Sequence, residues 1–167
     1  MRLFLTFLLA ALLAAPFALA NDKNARFKTL EPKHFTQAEG VELSPAFSDY
    51  FYAELRAELQ KAKLASEVVG EGEAVDDADA ANSAVILGTI TEYKKGNVAK
   101  SMLIGFTAGW QSLKMDADVQ RRSDKQTLYT IHVHTRMDPR WNEKIMAKAC
   151  AKEIIKEIRN AQKAAPK

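Results

Sequence analysis

Two histidines on one predicted strand are the residues with the clearest capacity for chemistry. His132 and His134 stand two positions apart in "TLYTIHVHTRM", so an extended strand places both imidazoles on the same face. This spacing suits a metal pair, and His34, in a predicted loop, could supply a third ligand. The same pattern is also typical of an ordinary solvated strand surface. We expect the solvated surface, and we keep a metal-binding or hydrolytic enzyme using His132 and His134 as an alternative.

A carboxylate pair occupies the preceding predicted strand. Asp116 and Asp118 leave one face of "WQSLKMDADVQR", together with Lys114 and Gln120. General acid–base work requires one carboxyl group to be held neutral by burial. Because the neighbours on that face are polar or charged, we expect the pair to be solvated and name no catalytic residue.

Cys150 is the only cysteine, so the chain can form no internal disulfide. It falls among Ala147, Ala151, Ile154 and Ile158 at helical spacing, which predicts a buried, inert thiol. The sequence also lacks a G-x-S-x-G nucleophile motif.

A glycine-containing stretch, "GNVAKSMLIGFTAGWQSLKM", begins at Gly96. Gly105 and Gly109 are too close together for a P-loop, and Trp110 and Gln111 stand where its lysine and hydroxyl residue belong. The stretch also contains no G-x-G of a dinucleotide fold. We therefore predict no nucleotide or other cofactor, and interpret Gly96, Gly105 and Gly109 as structural glycines at bends or close backbone contacts.

The same stretch is unusually apolar for a connection. It is too short to span a bilayer, which needs roughly 18 residues. Two interpretations remain open: a crossover packed against the domain, or an exposed surface that meets a partner. The residues of the second interpretation are Met102, Leu103, Phe106 and Trp110.

The predicted elements run strand, helix, four strands, helix. The first helix is marked by Ser44 as its N-cap and Pro45 at its first position, followed by an apolar stripe at Phe47, Phe51 and Leu55. The last helix runs from about 142 to 161. This order predicts an α+β two-layer sandwich, with two amphipathic helices on one face of a mainly antiparallel sheet of four to five strands.

The first twenty residues, "MRLFLTFLLAALLAAPFALA", have the pattern of a secretory signal peptide cut near Ala20. An uncleaved anchor is the alternative. Residues 21–167 are the size of one domain. We expect this domain to have no transmembrane segment and to lie in the periplasm or be secreted. Their 23 basic and 21 acidic residues imply no nucleic-acid partner, and the basic cluster Arg121, Arg122 and Lys125 reads as solvated surface.

The segment from Leu87 to Val119 resembles the core of the bacterial envelope family DUF4410. The family pattern is a strand ending in Glu-Tyr, a Gly-Asn turn, a basic residue and a glycine-rich stretch before an alternating strand. Thr107 stands in place of the usual middle glycine, and the leader carries no lipid-bearing cysteine. The matching residues are Gly88, Glu92, Tyr93, Gly96, Asn97, Lys100, Gly105, Phe106, Ala108 and Gly109.

The resemblance implies an exported α+β domain and carries no established reaction. We therefore expect a non-enzymatic periplasmic binding or accessory protein of the cell envelope, with an envelope protein as partner. A lipid or small-ligand carrier is a further alternative, and it requires an apolar cavity between the helices and the sheet.

Overall fold

The computed structural model describes residues 27–104 and 109–164. The predicted leader, residues 1–20, lies outside them. A short 3-10 helix spans Asp77–Asn82. The strands are β1 Phe27–Pro32, β2 Thr36–Gln37, β3 Ala65–Val68, β4 Ala84–Lys94, β5 Gln111–Arg121 and β6 Thr127–Met137. The helices are α1 Pro45–Ala62, α2 Val98–Ile104 and α3 Glu143–Ala164.

The strands form one mixed sheet in the order β3-β1-β4-β5-β6, with the short β2 also paired to β4. β4, β5 and β6 are antiparallel neighbours, whereas β1 runs parallel to both β3 and β4. The α+β class is confirmed, but the prediction of a mainly antiparallel sheet with four to five strands is wrong. The physical reason is the helix between β1 and β3: neighbouring strands joined by a long helical crossover run parallel.

The hydrophobic core lies between the sheet and the helices α1 and α3, which contact each other and cover the same face. The predicted stripe of α1 is buried at Phe47, Phe51, Leu55 and Leu59. Alternate residues of β5 and β6 complete the core from the sheet side: Leu113, Met115, Ala117, Val119, Ile131, Val133 and Met137.

The start of α1 follows the predicted chemistry. The Ser44 hydroxyl accepts a hydrogen bond from the backbone N–H of Phe47 at 3.2 Å, and Pro45 opens the helix. The same hydroxyl donates to Glu143 Oε2 at 2.5 Å, in the first turn of α3. Ser44 therefore ties the beginnings of the two long helices together.

The opposite face of the sheet is only partly open to solvent. β1 lies between β3 and β4, so the connection between those two strands has to cross it. On this outer face Gly72 N–H donates to the carboxylate of Glu31, which is 2% exposed. The connection between β3 and β4, residues 69–83, thus covers the outer side of β1. None of the helices within residues 27–104 and 109–164 is long and apolar enough to cross a membrane.

Candidate functional site

The cross-strand register of β5 and β6 places the predicted chemical residues opposite one another. Asp116 pairs with His132, and Asp118 pairs with Thr130. The His132 Nδ1 atom lies 2.7 Å from Asp116 Oδ1, and the Thr130 hydroxyl donates to Asp118 Oδ1 at 2.8 Å. The side chains of His132 and Asp116 are 76% and 52% exposed. Water therefore reaches most of both groups and screens their interaction.

The three histidines do not converge. His34 and His132 line the same shallow depression of about 430 Å³ on the open face. His34, however, is held by Glu71 Oε2 at 2.7 Å and stacks on Tyr52 at 4.1 Å between ring centroids. His134 lies farther along β6, opposite Lys114. Within the part of the chain that the structure describes, no three His, Cys, Asp or Glu side chains are placed to hold a metal ion.

Glu92, one of the residues shared with the family pattern, is the centre of an ion-pair group. Lys114 Nζ donates to Glu92 Oε2 at 2.7 Å, and Lys94 Nζ lies 2.9 Å from Glu92 Oε1. The hydrogen bond from Lys114, followed by that from Lys94, lowers the pKa of Glu92 to about 2. Glu92 therefore stays ionised at neutral pH and fixes the two lysines at the end of β4.

Cys150 is fully buried in α3, as the sequence predicts. Burial raises the pKa of its thiol to about 12, because a buried thiolate loses its hydration. The reactive thiolate form is therefore suppressed at neutral pH.

Two of the four residues predicted for a partner surface, Met102 and Leu103, lie on a short helix that the sequence pattern does not predict. Met102, Leu103 and Ile104, at the end of α2, are 75%, 85% and 68% exposed, and Trp110 is 38% exposed. Phe106 lies outside the described residues. The signal that could have revealed α2 is Asn97, whose side-chain oxygen accepts a hydrogen bond from Lys100 N–H at 2.9 Å, as an N-cap does. We call residues 96–104 with residues 109 and 110 the α2 tip.

Two of the three predicted structural glycines lie at the base of the α2 tip, and Gly105 lies outside the described residues. A Cβ at Gly96 would be 2.5 Å from Pro139 Cβ, and one at Gly109 would overlap the carbonyl oxygen of Asn97. Asn97 N–H donates to the Gly109 carbonyl at 2.7 Å. The two ends of the connection therefore meet backbone to backbone at a distance that a side chain would prevent.

Basic side chains surround the base of the α2 tip. A depression of about 640 Å³ lies beside Trp110. It is lined by Lys94, Lys95, Asn97, Lys100, Gly109, Trp110, Ser112 and Arg136. Lys94, Lys95 and Lys100 are close together in the sequence, and the fold adds Arg136 from β6 at the same end of the sheet. The charge balance of the whole sequence does not show this local concentration.

Sequence reasoning missed two further arrangements. The ring of Phe35 packs directly over Gly88, on the core side of β4, where a Cβ would overlap it. The other is the carboxylate of Glu31, which pairs with Arg122 and, at 2.6 Å, with Lys33 Nζ. Arg122 is therefore not the freely solvated residue that its place in a basic cluster suggested.

Several known structures are similar to this chain at low sequence identity. The PelC dodecamer from Paraburkholderia phytofirmans is 12% identical, with a TM-score of 0.54 over 83% of this chain and 89% of that chain. The hypothetical protein CT253 from Chlamydia trachomatis is 11% identical, with a TM-score of 0.51 over 80% and 97%. Lipoprotein GNA1162 from Neisseria meningitidis is 12% identical, with a TM-score of 0.49 over 79% and 98%. At these identities the PelC and CT253 similarities show the fold alone.

No curated protein matches the sequence. The model of a protein family described as a domain of unknown function, DUF4410, matches residues 19–137. This match contains the whole glycine stretch, the residues around Glu92 and all six strands of the sheet. The chain therefore belongs to the DUF4410 family.

Proposed function

We propose that this protein is an exported, non-enzymatic accessory protein of the cell envelope that binds another envelope component through the α2 tip. The observation that carries the proposal is the exposure of three consecutive apolar side chains, Met102, Leu103 and Ile104. Exposed apolar groups that cluster on a soluble domain commonly mark a contact surface.

Export is supported by the leader pattern in residues 1–20, with cleavage near Ala20. Residues 21–167 are then one domain in the periplasm, or secreted. The family match begins at residue 19, where the leader pattern ends.

A non-enzymatic role is supported by the environment of the chemical residues. His132 and Asp116 form an exposed pair, and the thiol of Cys150 is buried and protonated. The enzymatic alternative rests on the depression that His34 and His132 share. The carrier alternative needs an apolar cavity, but the layer between helices and sheet is filled by large side chains such as Phe47, Phe51 and Met115.

Self-assembly is compatible with this fold, because PelC has it and forms a dodecamer. We treat the number of subunits as a separate question from the contact at the α2 tip.

The test is site-specific photo-crosslinking in intact cells. A photoreactive amino acid replaces Met102, and in a matched control it replaces Ile145, an exposed apolar residue of α3 away from the α2 tip. We expect an adduct with an envelope component from position 102 and none from position 145. Adding Leu103→Asp is expected to reduce the adduct about tenfold or more, because it removes roughly 1.5–3 kcal/mol of apolar burial.

Circular dichroism of the Leu103→Asp variant should match that of the original protein, since Leu103 is 85% exposed. If the variant unfolds, the residue belongs to the core and the proposed function is wrong. Equal adducts from positions 102 and 145 would also contradict it.

A further inference from the structure

We infer that the envelope component bound at the α2 tip is an anionic lipid surface. The inference rests on the proposed function, because it names what that contact surface binds. Two independent features of the α2 tip support it: the directions in which its apolar side chains point, and the basic side chains at its base.

The apolar residues of the α2 tip are consecutive. Adjacent residues of an α-helix point about 100° apart, so Met102, Leu103 and Ile104 spread around the end of α2. A helix that docks in a protein groove instead presents residues three or four positions apart on one side. Side chains that radiate from a helix end suit insertion of that end into a continuous apolar medium.

Exposure along α2 shows that the helix leaves the body of the protein. Val98, at its first position, is 38% exposed, whereas Leu103, near its last, is 85% exposed. Trp110 lies at the base, beside the sheet, and is 38% exposed. Indole rings are favoured at the boundary between lipid chains and headgroups, because they are apolar with one polar N–H.

Cations surround this base. Lys95, Lys100 and Arg136 are exposed and line the depression beside Trp110, together with Lys94, whose charge is offset by Glu92. The nearby acids are already paired: Glu92 with Lys94 and Lys114, and Asp138 with Arg140. The apolar side chains thus lie at the C-terminal end of α2, and the cations lie at its base. This order matches an anionic membrane, in which phosphate groups lie outside the acyl chains.

The binding experiment uses the protein recovered from cells that express the full chain. It is mixed with vesicles of phosphatidylcholine alone, or of phosphatidylcholine and phosphatidylglycerol in equal amounts, and bound protein is measured by flotation. We expect binding to the anionic vesicles, weaker binding at high salt, and little binding to the neutral ones.

Three variants and two controls assign the binding to the α2 tip. Lys95→Gln and Lys100→Gln should each weaken binding to anionic vesicles about fivefold. Leu103→Asp should weaken it about tenfold or more. The controls are Lys125→Gln, in the turn between β5 and β6, and Ile145→Asp, and both should leave binding to anionic vesicles unchanged. All variants are expressed with the same leader.

The inference is overturned if anionic vesicles do not bind, if neutral vesicles bind equally well, or if the lysine variants bind like the original protein. The crosslinking experiment then separates the two proposals. A protein adduct from position 102 without vesicle binding leaves the proposed function standing and makes the lipid inference wrong. No adduct and no vesicle binding would contradict both.

Discussion

Gly88 stands in the middle of a central strand, where a glycine normally weakens the sheet. It lies opposite Ala117 on the core-facing side of β4, and the ring of Phe35 occupies the space above it. Phe35 in turn meets Phe51 of α1 edge to face, with ring centroids 4.9 Å apart. The glycine of the family pattern therefore makes room for an aromatic ring that joins the connection after β1 to the helix layer.

Gly88→Ala should destabilise the protein by about 1–3 kcal/mol, because the added methyl group overlaps the Phe35 ring in a filled core. Urea denaturation followed by circular dichroism measures the loss. In a Phe35→Ala background, itself about 3–5 kcal/mol less stable, the same change should have almost no further effect. An equal cost in both backgrounds would show that the ring is not the obstacle.

At the scale of elements, Ser44 joins two helices that are far apart in sequence. Its hydroxyl caps α1 and donates to Glu143 at the start of α3. One side chain thereby satisfies a free N–H of one helix and sets the position of the other.

Ser44→Ala should cost about 1–2 kcal/mol in the free energy of unfolding, because the N-cap bond is lost. Ser44→Asp keeps a capping oxygen but places a second carboxylate against Glu143, so it should also destabilise the protein. Adding Glu143→Gln to Ser44→Asp should recover most of the loss. If Glu143→Gln gives no recovery, the link between the helices does not contribute to stability.

The long elements were predictable from sequence because their apolar residues repeat with clear periods. The alternation in β5 gave the buried Leu113 and Met115 and the solvated Asp116 correctly. Strand direction was not predictable in this way, because alternation looks the same in parallel and antiparallel pairs. The α2 tip was ambiguous for a related reason: the residues from Met102 to Ile104 are apolar, and only the fold shows that they are exposed.

At the scale of the whole molecule, the connection from β3 to β4 packs across the outer face of β1 and covers it. Glu31 anchors this connection. Its carboxylate accepts a hydrogen bond from Gly72 N–H at 2.8 Å and forms ion pairs with Lys33 and Arg122. Arg122 N–H also donates to the carbonyl of Ser83 at 2.9 Å, just before β4. Residues from β1, the crossover and the β5–β6 turn thus meet at one buried carboxylate.

Arg122→Ala should lower the free energy of unfolding by about 1–3 kcal/mol, because it removes a charged hydrogen bond from a buried acceptor. The neighbouring Arg121 is the matched control. It pairs with the half-exposed Asp124 at 2.8 Å, so Arg121→Ala should produce no measurable change. Thermal unfolding of the two variants compares them directly, and equal stabilities would refute the role of the Glu31 cluster.

Because β1 and β4 run parallel, they begin at the same end of the sheet. Phe27 N–H donates to the carbonyl of Leu64, and the side chain of Arg159 in α3 donates to the carbonyl of Ala62. The first and last described residues therefore lie near the end of the sheet where β4 begins. β4 then runs 11 residues, about 33 Å, towards α2. If the α2 tip contacts a lipid surface as inferred, the first and last described residues, 27 and 164, lie at the opposite end of β4 from that surface.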